Sequence, residues 1–173
     1  MMKQVILSSF VLITTLFSWS TLSGQEDKST RPSPPAEAHA RIGDVPVSIN
    51  YSSPAVKERV IWGDLVPYGK VWRTGANEAT VFESSGDLMI NGQKLPAGKY
   101  GLFTIPGEKE WTIIFNSVWD QWGAFKYDPS KDVLRIKASP AKSDAFNERM
   151  KFEIKDHVVS LLWENLKVSF MAK

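Results

Sequence analysis

Val47, Ile49 and Tyr51 alternate along the chain with Ser48, Asn50 and Ser52. A period of two puts one set on a buried face and the other in water, so this stretch predicts a strand, stopped by Pro54. The alternation returns at Leu134, Ile136 and Ala138 against Arg135 and Lys137, and at Phe152 and Ile154 against Lys151, Glu153 and Lys155. It returns again at Leu166, Val168 and Phe170 against Lys167 and Ser169, while Val159, Leu161 and Trp163 share one face of a further strand. Residues 57–62 (KERVIW), 79–83 and 87–90 predict shorter strands. Residues 99–105 (KYGLFTI) and 111–116 (WTIIFN) carry large apolar side chains on both faces, as strands covered from both sides do.

Between these runs lie turn signals. Asn91-Gly92 predicts a tight hairpin, since a type I′ turn needs positive φ at both central residues. Gly86, the Pro96-Ala97-Gly98 triplet, residues 106–110 and Pro129 predict further turns, as do Asp156-His157 and Glu164-Asn165. No segment sustains a helical period. One short helix is expected between Ser143 and Met150, with Phe146 as a core contact. Roughly nine to ten short strands separated by turns point to an all-β fold, an antiparallel β-sandwich.

Residues 1–24 break this pattern. Lys3 precedes an apolar run over 5–17 and then small, polar residues, the order of a secretory signal segment, with Gln25 as the expected mature start. The run is shorter than the roughly 20 residues of a membrane span. Residues 25–40 (QEDKSTRPSPPAEAHA) are rich in proline and charge and predict a flexible tether, with His39 as a solvated linker residue. The β-sandwich domain is expected over residues 41–173. Localisation is accordingly expected to be periplasmic or extracellular.

The formal charge of +2 falls to +1 without Lys3, and no basic stripe of a nucleic-acid binder is present. No cysteine exists, which excludes thiol catalysis and leaves stability to the core. His39 and His157 are the only histidines, too few for a zinc site of His and Cys. There is no esterase elbow, no P-loop and no EF-hand loop, so neither a cofactor nor a metal is expected.

Residues 62–80 (WGDLVPYGKVWRTGANEAT) fit neither a strand nor a helix. Rigid aromatic rings there are mixed with varied polar groups, as in a recognition surface. Trp62, Tyr68 and Trp72, with Trp119 and Trp122 of residues 119–125 (WDQWGAF), are candidate stacking platforms for a sugar ring. The competing reading for such residues is burial, and Trp111 and Trp163 are expected in the core. Arg73 offers a planar fork of donors, with Asn77, Asp64, Glu78 and Gln121 as further polar ligand contacts. Alternatively, Arg73 pairs internally with Asp64 or Glu78 and braces the loop. Asp64, Glu78, Glu83 and Asp120 are the carboxylates from which a glycosidase-like pair could be drawn. His157 is expected to be an exposed turn residue.

The run YSSPAVKERVIWGDLVPYGKVWRTGANEAT, followed by LPAGKYGLFTIP, EWTIIFN, QWGAF and DVLRI, resembles the DUF2911 family. The resemblance extends from Val45 to about Phe170. It implies an exported all-β domain and supplies no reaction, ligand or catalytic residue. The chain departs from the family pattern at Ser53, where an arginine often stands, and at Glu58, where a glycine usually precedes the next arginine. Together these features lead to the expectation of an exported, non-catalytic binding or accessory module for carbohydrate or cell-envelope glycan. A hydrolase using paired carboxylates and a structural protein without a small-molecule site are the alternatives.

Overall fold

A computed structural model describes residues 27–173, and the expected signal segment lies outside the described residues. The fold is all-β, with ten strands in antiparallel sheets. They are β1 (Pro35–Ile42), β2 (Val45–Ser52), β3 (Thr80–Ser84), β4 (Leu88–Ile90), β5 (Gln93–Leu95), β6 (Gly98–Ile105), β7 (Trp111–Asn116), β8 (Asp132–Ala138), β9 (Pro140–Lys155) and β10 (Val158–Met171).

Six of them form one sheet in the order β1-β2-β3-β6-β7-β8. The long β9–β10 hairpin packs across its inner face. That second layer is widened on one side by the β4–β5 hairpin, which exchanges backbone hydrogen bonds between Met89 and Lys173. On the other side residues 54–56 add to β9, through Val56 N–H to Glu148 O and Met150 N–H to Pro54 O. The core between the layers follows the alternation directly. Ile49 lies beside Phe82, Phe82 beside Tyr100, and Leu102 beside Phe115, all buried. Met150, Phe152, Leu161, Val168 and Phe170 face them from the hairpin.

β6 and β7 are covered on both faces, as their apolar character requires. Phe103 and Ile114 point away from the main core into a second, small cluster with Ala79, packed by Val71, Ala124 and Tyr127. Val71 and Ala79, with Ala124 and Tyr127, therefore cover the outer face of the central strands, while Trp62, Val66 and Trp72 join the main core.

Several local expectations are corrected. Residues 57–62 are not a strand: Lys57 and Glu58 have positive φ, and Arg59 N–H closes the turn on Val56 O. No helix forms between Ser143 and Met150, because those residues belong to β9. Phe146 is 55% exposed and is no core contact. Glu164-Asn165 does not turn the chain. It marks a bulge inside β10, where Glu164 has a φ of 55° and the pairing register shifts. Across it β10 advances four residues, Leu162 to Leu166, while β9 advances nine, Lys151 to Lys142, and the core-facing side chains of β10 pass from Leu161 and Trp163 to Val168 and Phe170.

The tether reading fails over Pro35–Ile42, which pairs in full register with β2. Small alanines at 36, 38 and 40 sit half-buried against the core, while Glu37, His39 and Arg41 face outward. Ahead of β1 the proline-rich segment is fastened by its carbonyls. Ser53 N–H bonds Pro34 O, and the Asn77 amide bonds Ser33 O.

Candidate functional site

The outer loops are anchored where β3 stops short along β6. β3 pairs with β6 only as far as Thr80 opposite Leu102. Beyond it, Trp72 occupies the same edge and exchanges both backbone hydrogen bonds with Thr104, at 2.7 and 2.9 Å. Thr80 N–H then bonds Arg73 O, so residues 74–79 form a closed excursion. Inside it Thr74 and Asn77 have φ of 56° and 55°. Gly75 sits so close to Ser52 O that an added β-carbon would lie 3.1 Å from that oxygen, which explains the glycine.

Pairing opposite Thr104 sends the Trp72 indole into the core. There it stacks on Trp163 at 6.0 Å and 18° and meets Trp62 edge-on at 6.0 Å. Trp62 in turn stands edge-on to Trp111 and Trp163 at 5.1 and 5.7 Å. The Trp72 Nε1–H is held by Gly75 O, while those of Trp62, Trp111 and Trp163 are buried without an oxygen partner. Edge-to-face indoles are the arrangement in which a ring face can receive an N–H. Trp62 and Trp72 are thus half-buried members of this cluster, packed against the core. Tyr68 folds back over Gly63, and Asp64 is exposed on the same loop; neither lines the two clefts described next.

The first cleft, about 430 Å³, is lined by Glu78, Asp120, Gln121, Trp122, Phe125 and Lys126. Its loop is fastened by Ala79 N–H to Gln121 O and Gly123 N–H to Asn77 O. Gly123 turns the chain with a φ of 65° between Trp122 and Phe125. These two rings are 56% and 84% exposed, and the Arg31 guanidinium lies 5.9 Å from the Trp122 ring centre. Gln121 donates Nε2–H to Val118 O, while its Oε1 is buried with no donor. Trp119 stands apart beneath Lys99, whose ammonium lies 4.9 Å from the ring.

Glu78 is ion-paired to Lys28 at 2.8 Å and to Arg31 at 3.0 Å. Partial burial works to raise its pKa. The hydrogen bonds from Lys28, its own backbone N–H and Arg31, with the Lys28 charge, outweigh that and bring it to about 2. Such a carboxylate is ionised at neutral pH and cannot serve as a glycosidase proton donor, which needs a raised value. Glu83 is remote from this cleft and paired to Lys99.

The second cleft, about 300 Å³, opens on the other side of Asn77 and is lined in part by Arg59, Leu65, Trp72, Arg73, Asn77 and Trp163. Arg73 is half-buried and pairs with neither Asp64 nor Glu78. Burial alone pulls its guanidinium below the usual arginine range. Arg59, Phe125 and Lys126 were not among the residues expected from sequence. Phe125 was marked only by its place in WDQWGAF, and Arg59 only by following the glycine-preferring position at Glu58.

A family model described as "Protein of unknown function (DUF2911)" matches residues 33–172. The chain belongs to this family. The match starts two residues before β1, so the DUF2911 domain includes the strand that the proline-rich composition disguised. Neither the curated proteins nor the solved structures provide a match. Among the described residues, no helix is long and apolar enough to cross a membrane.

Proposed function

We propose that this DUF2911 domain is an exported, non-catalytic binding module that holds a carbohydrate or cell-envelope glycan on the shelf of Trp122 and Phe125. The observation that carries the reading is their exposure on a loop fixed to residues 77–79 by three consecutive residues, Gln121 to Gly123. Large aromatic faces kept in water by an ordered backbone offer a flat apolar surface at little entropic cost to a ligand. Asp120 and the ionised Glu78 add acceptors for hydroxyl groups. The Lys3 start and apolar run over 5–17 support export.

The test is a glycan array on the mature domain, followed by fluorescence titration of Trp122→Ala. Loss of one stacked ring should weaken binding roughly tenfold, about 1.4 kcal/mol. A hydrolase panel should give no turnover. Glycan affinity indifferent to Trp122→Ala, or hydrolysis abolished by Asp120→Asn, would overturn the reading.

A further inference from the structure

The second cleft gathers positive charge without a negative partner. Arg73 stays protonated, yet among the described residues it forms no hydrogen bond or ion pair, and its Nε is buried without an acceptor. Arg59 stands across the same cleft. Its Nε–H and one Nη–H are fixed by Val56 O at 3.0 Å and Ala55 O at 2.5 Å, while among the described residues Nη1 makes no hydrogen bond. Among the described residues no carboxylate lines the cleft, and Glu78, the nearest acid in sequence to Arg73, is taken by Lys28 and Arg31. The Asn77 amide spends one hydrogen on Ser33 O and retains another.

The backbone around both arginines is held in uncommon conformations. Of eight non-glycine residues with positive φ among the described residues, four flank this cleft: Lys57, Glu58, Thr74 and Asn77. Thr74 is β-branched, for which a φ of 56° is a true outlier. It is held there by Thr80, whose hydroxyl bonds Thr74 O at 2.7 Å, and by Thr104, 3.1 Å from its own hydroxyl. Such strain persists only where surrounding structure enforces it, and it concentrates at ligand clamps.

We propose that the cleft between Arg59 and Arg73 is a binding site for an oxyanion, a carboxylate, sulfate or phosphate group. The anion neutralises a half-buried charge and accepts from the guanidinium N–H groups that Arg73 presents to the cleft. A guanidinium fork matches two oxygens of such a group in its plane. The indoles of Trp72 and Trp163 at the cleft wall exclude water from one side and strengthen the attraction. Arg73 Nη1 lies close to the Gly123 turn of the shelf loop, and the observations that carry the site are the two arginines facing one cleft, not the exposed rings of Trp122 and Phe125.

The test is calorimetric titration of the full domain at low salt with inorganic phosphate, inorganic sulfate, acetate and glucuronate, with neutral glucose as control. Binding of inorganic anions alone identifies a free-anion site. Binding of glucuronate more tightly than acetate identifies the acid group of a saccharide. Either result supports the proposal if Arg73→Gln and Arg59→Gln each weaken it by roughly ten- to hundredfold, while Lys137→Gln, a surface cation outside the cleft, leaves it unchanged. The ligand-free Tm of Arg73→Gln should be unchanged or higher, because a charge without a partner has been removed. Should Arg73→Gln not fold, Arg59→Gln and Arg73→Lys carry the comparison. No heat with any anion, or binding that survives both arginine variants, overturns the proposal, as does a large loss of ligand-free Tm in Arg73→Lys.

Discussion

Two similar stretches of sequence, WGDLVPYGKVW and WDQWGAF, place their aromatic rings in opposite surroundings. Trp62 and Trp72 of the first join Trp111 and Trp163 in a tryptophan cluster at the core, whereas Trp122 and Phe125 of the second stay in water. Backbone pairing decides between them. Trp72 continues the β6 edge opposite Thr104 and inherits the core-facing side of the sheet. The second loop is fixed through Glu78 and Trp122, outside the main core, and Gly123 turns it back at once. The charges divide similarly: among the described residues Glu78 has two cationic partners and Arg73 has no anion. What a side chain is for depends here on which backbone neighbour aims it, not on its type.

The strongest way to break this contrast is truncation of one indole on each side. Trp163 is 1% exposed, and Trp163→Ala should cost about 3–5 kcal/mol, as large core truncations do. Trp122→Ala should change stability by no more than about 0.5 kcal/mol, like an ordinary surface position. Urea unfolding of the two variants is the measurement. Comparable losses in both would mean that the shelf is part of the core.

A smaller effect sharpens the charge half of the comparison. The folded pKa of Glu78, about 2, lies below its ordinary 4.5. A depressed carboxylate stabilises the fold above its unfolded pKa, and that contribution disappears as pH falls from about 4.5 through about 2. Since the Glu78 side chain is 38% exposed, solvent screening holds the contribution to about 1 kcal/mol. Glu78→Gln should therefore lose about 1 kcal/mol at pH 7, and its deficit against wild type should vanish toward pH 2. A deficit independent of pH would locate the effect in packing, not charge.

Much of the fold was legible because strands with one wet face display a period of two, and those stretches appear as β2, β8, β9 and β10. The Asn91-Gly92 turn was equally plain, with φ of 46° and 81°. β1 was hidden because its inward residues are alanines, weak as a hydrophobic signal, beside prolines that suggest a linker. Glu164 looked like a turn because a bulge breaks the same alternation that a turn breaks. At the candidate site, the clustering of aromatic and polar residues in 62–80 and 119–125 was visible. Which rings face outward was not, because the partner that decides it, Thr104 for Trp72, lies more than thirty residues away. Arg59 was missed for the same reason: only the fold brings it opposite Arg73.

The smallest expected effect concerns the turn that presents Arg59. Val56 O accepts from Arg59 N–H at 3.1 Å, and the two central residues, Lys57 and Glu58, have φ of 48° and 57°. Positive φ at both positions is the type I′ pattern, whose second central residue is most often glycine. Glu58 thus bears a conformational cost of roughly 1 kcal/mol that glycine would not. Glycine returns part of that gain by its greater freedom in the unfolded chain. Glu58→Gly should therefore stabilise the domain by about 0.5 kcal/mol, raising Tm by roughly 1–2 °C. Lys57 has its N–H tied to Glu148 Oε1 at 3.0 Å, a bond that a change at Glu58 leaves in place. A scanning-calorimetry comparison checks the sign. A fall in Tm would show that the Glu58 side chain makes a contribution larger than the strain it carries, and the glycine preference at this turn would not apply to this chain.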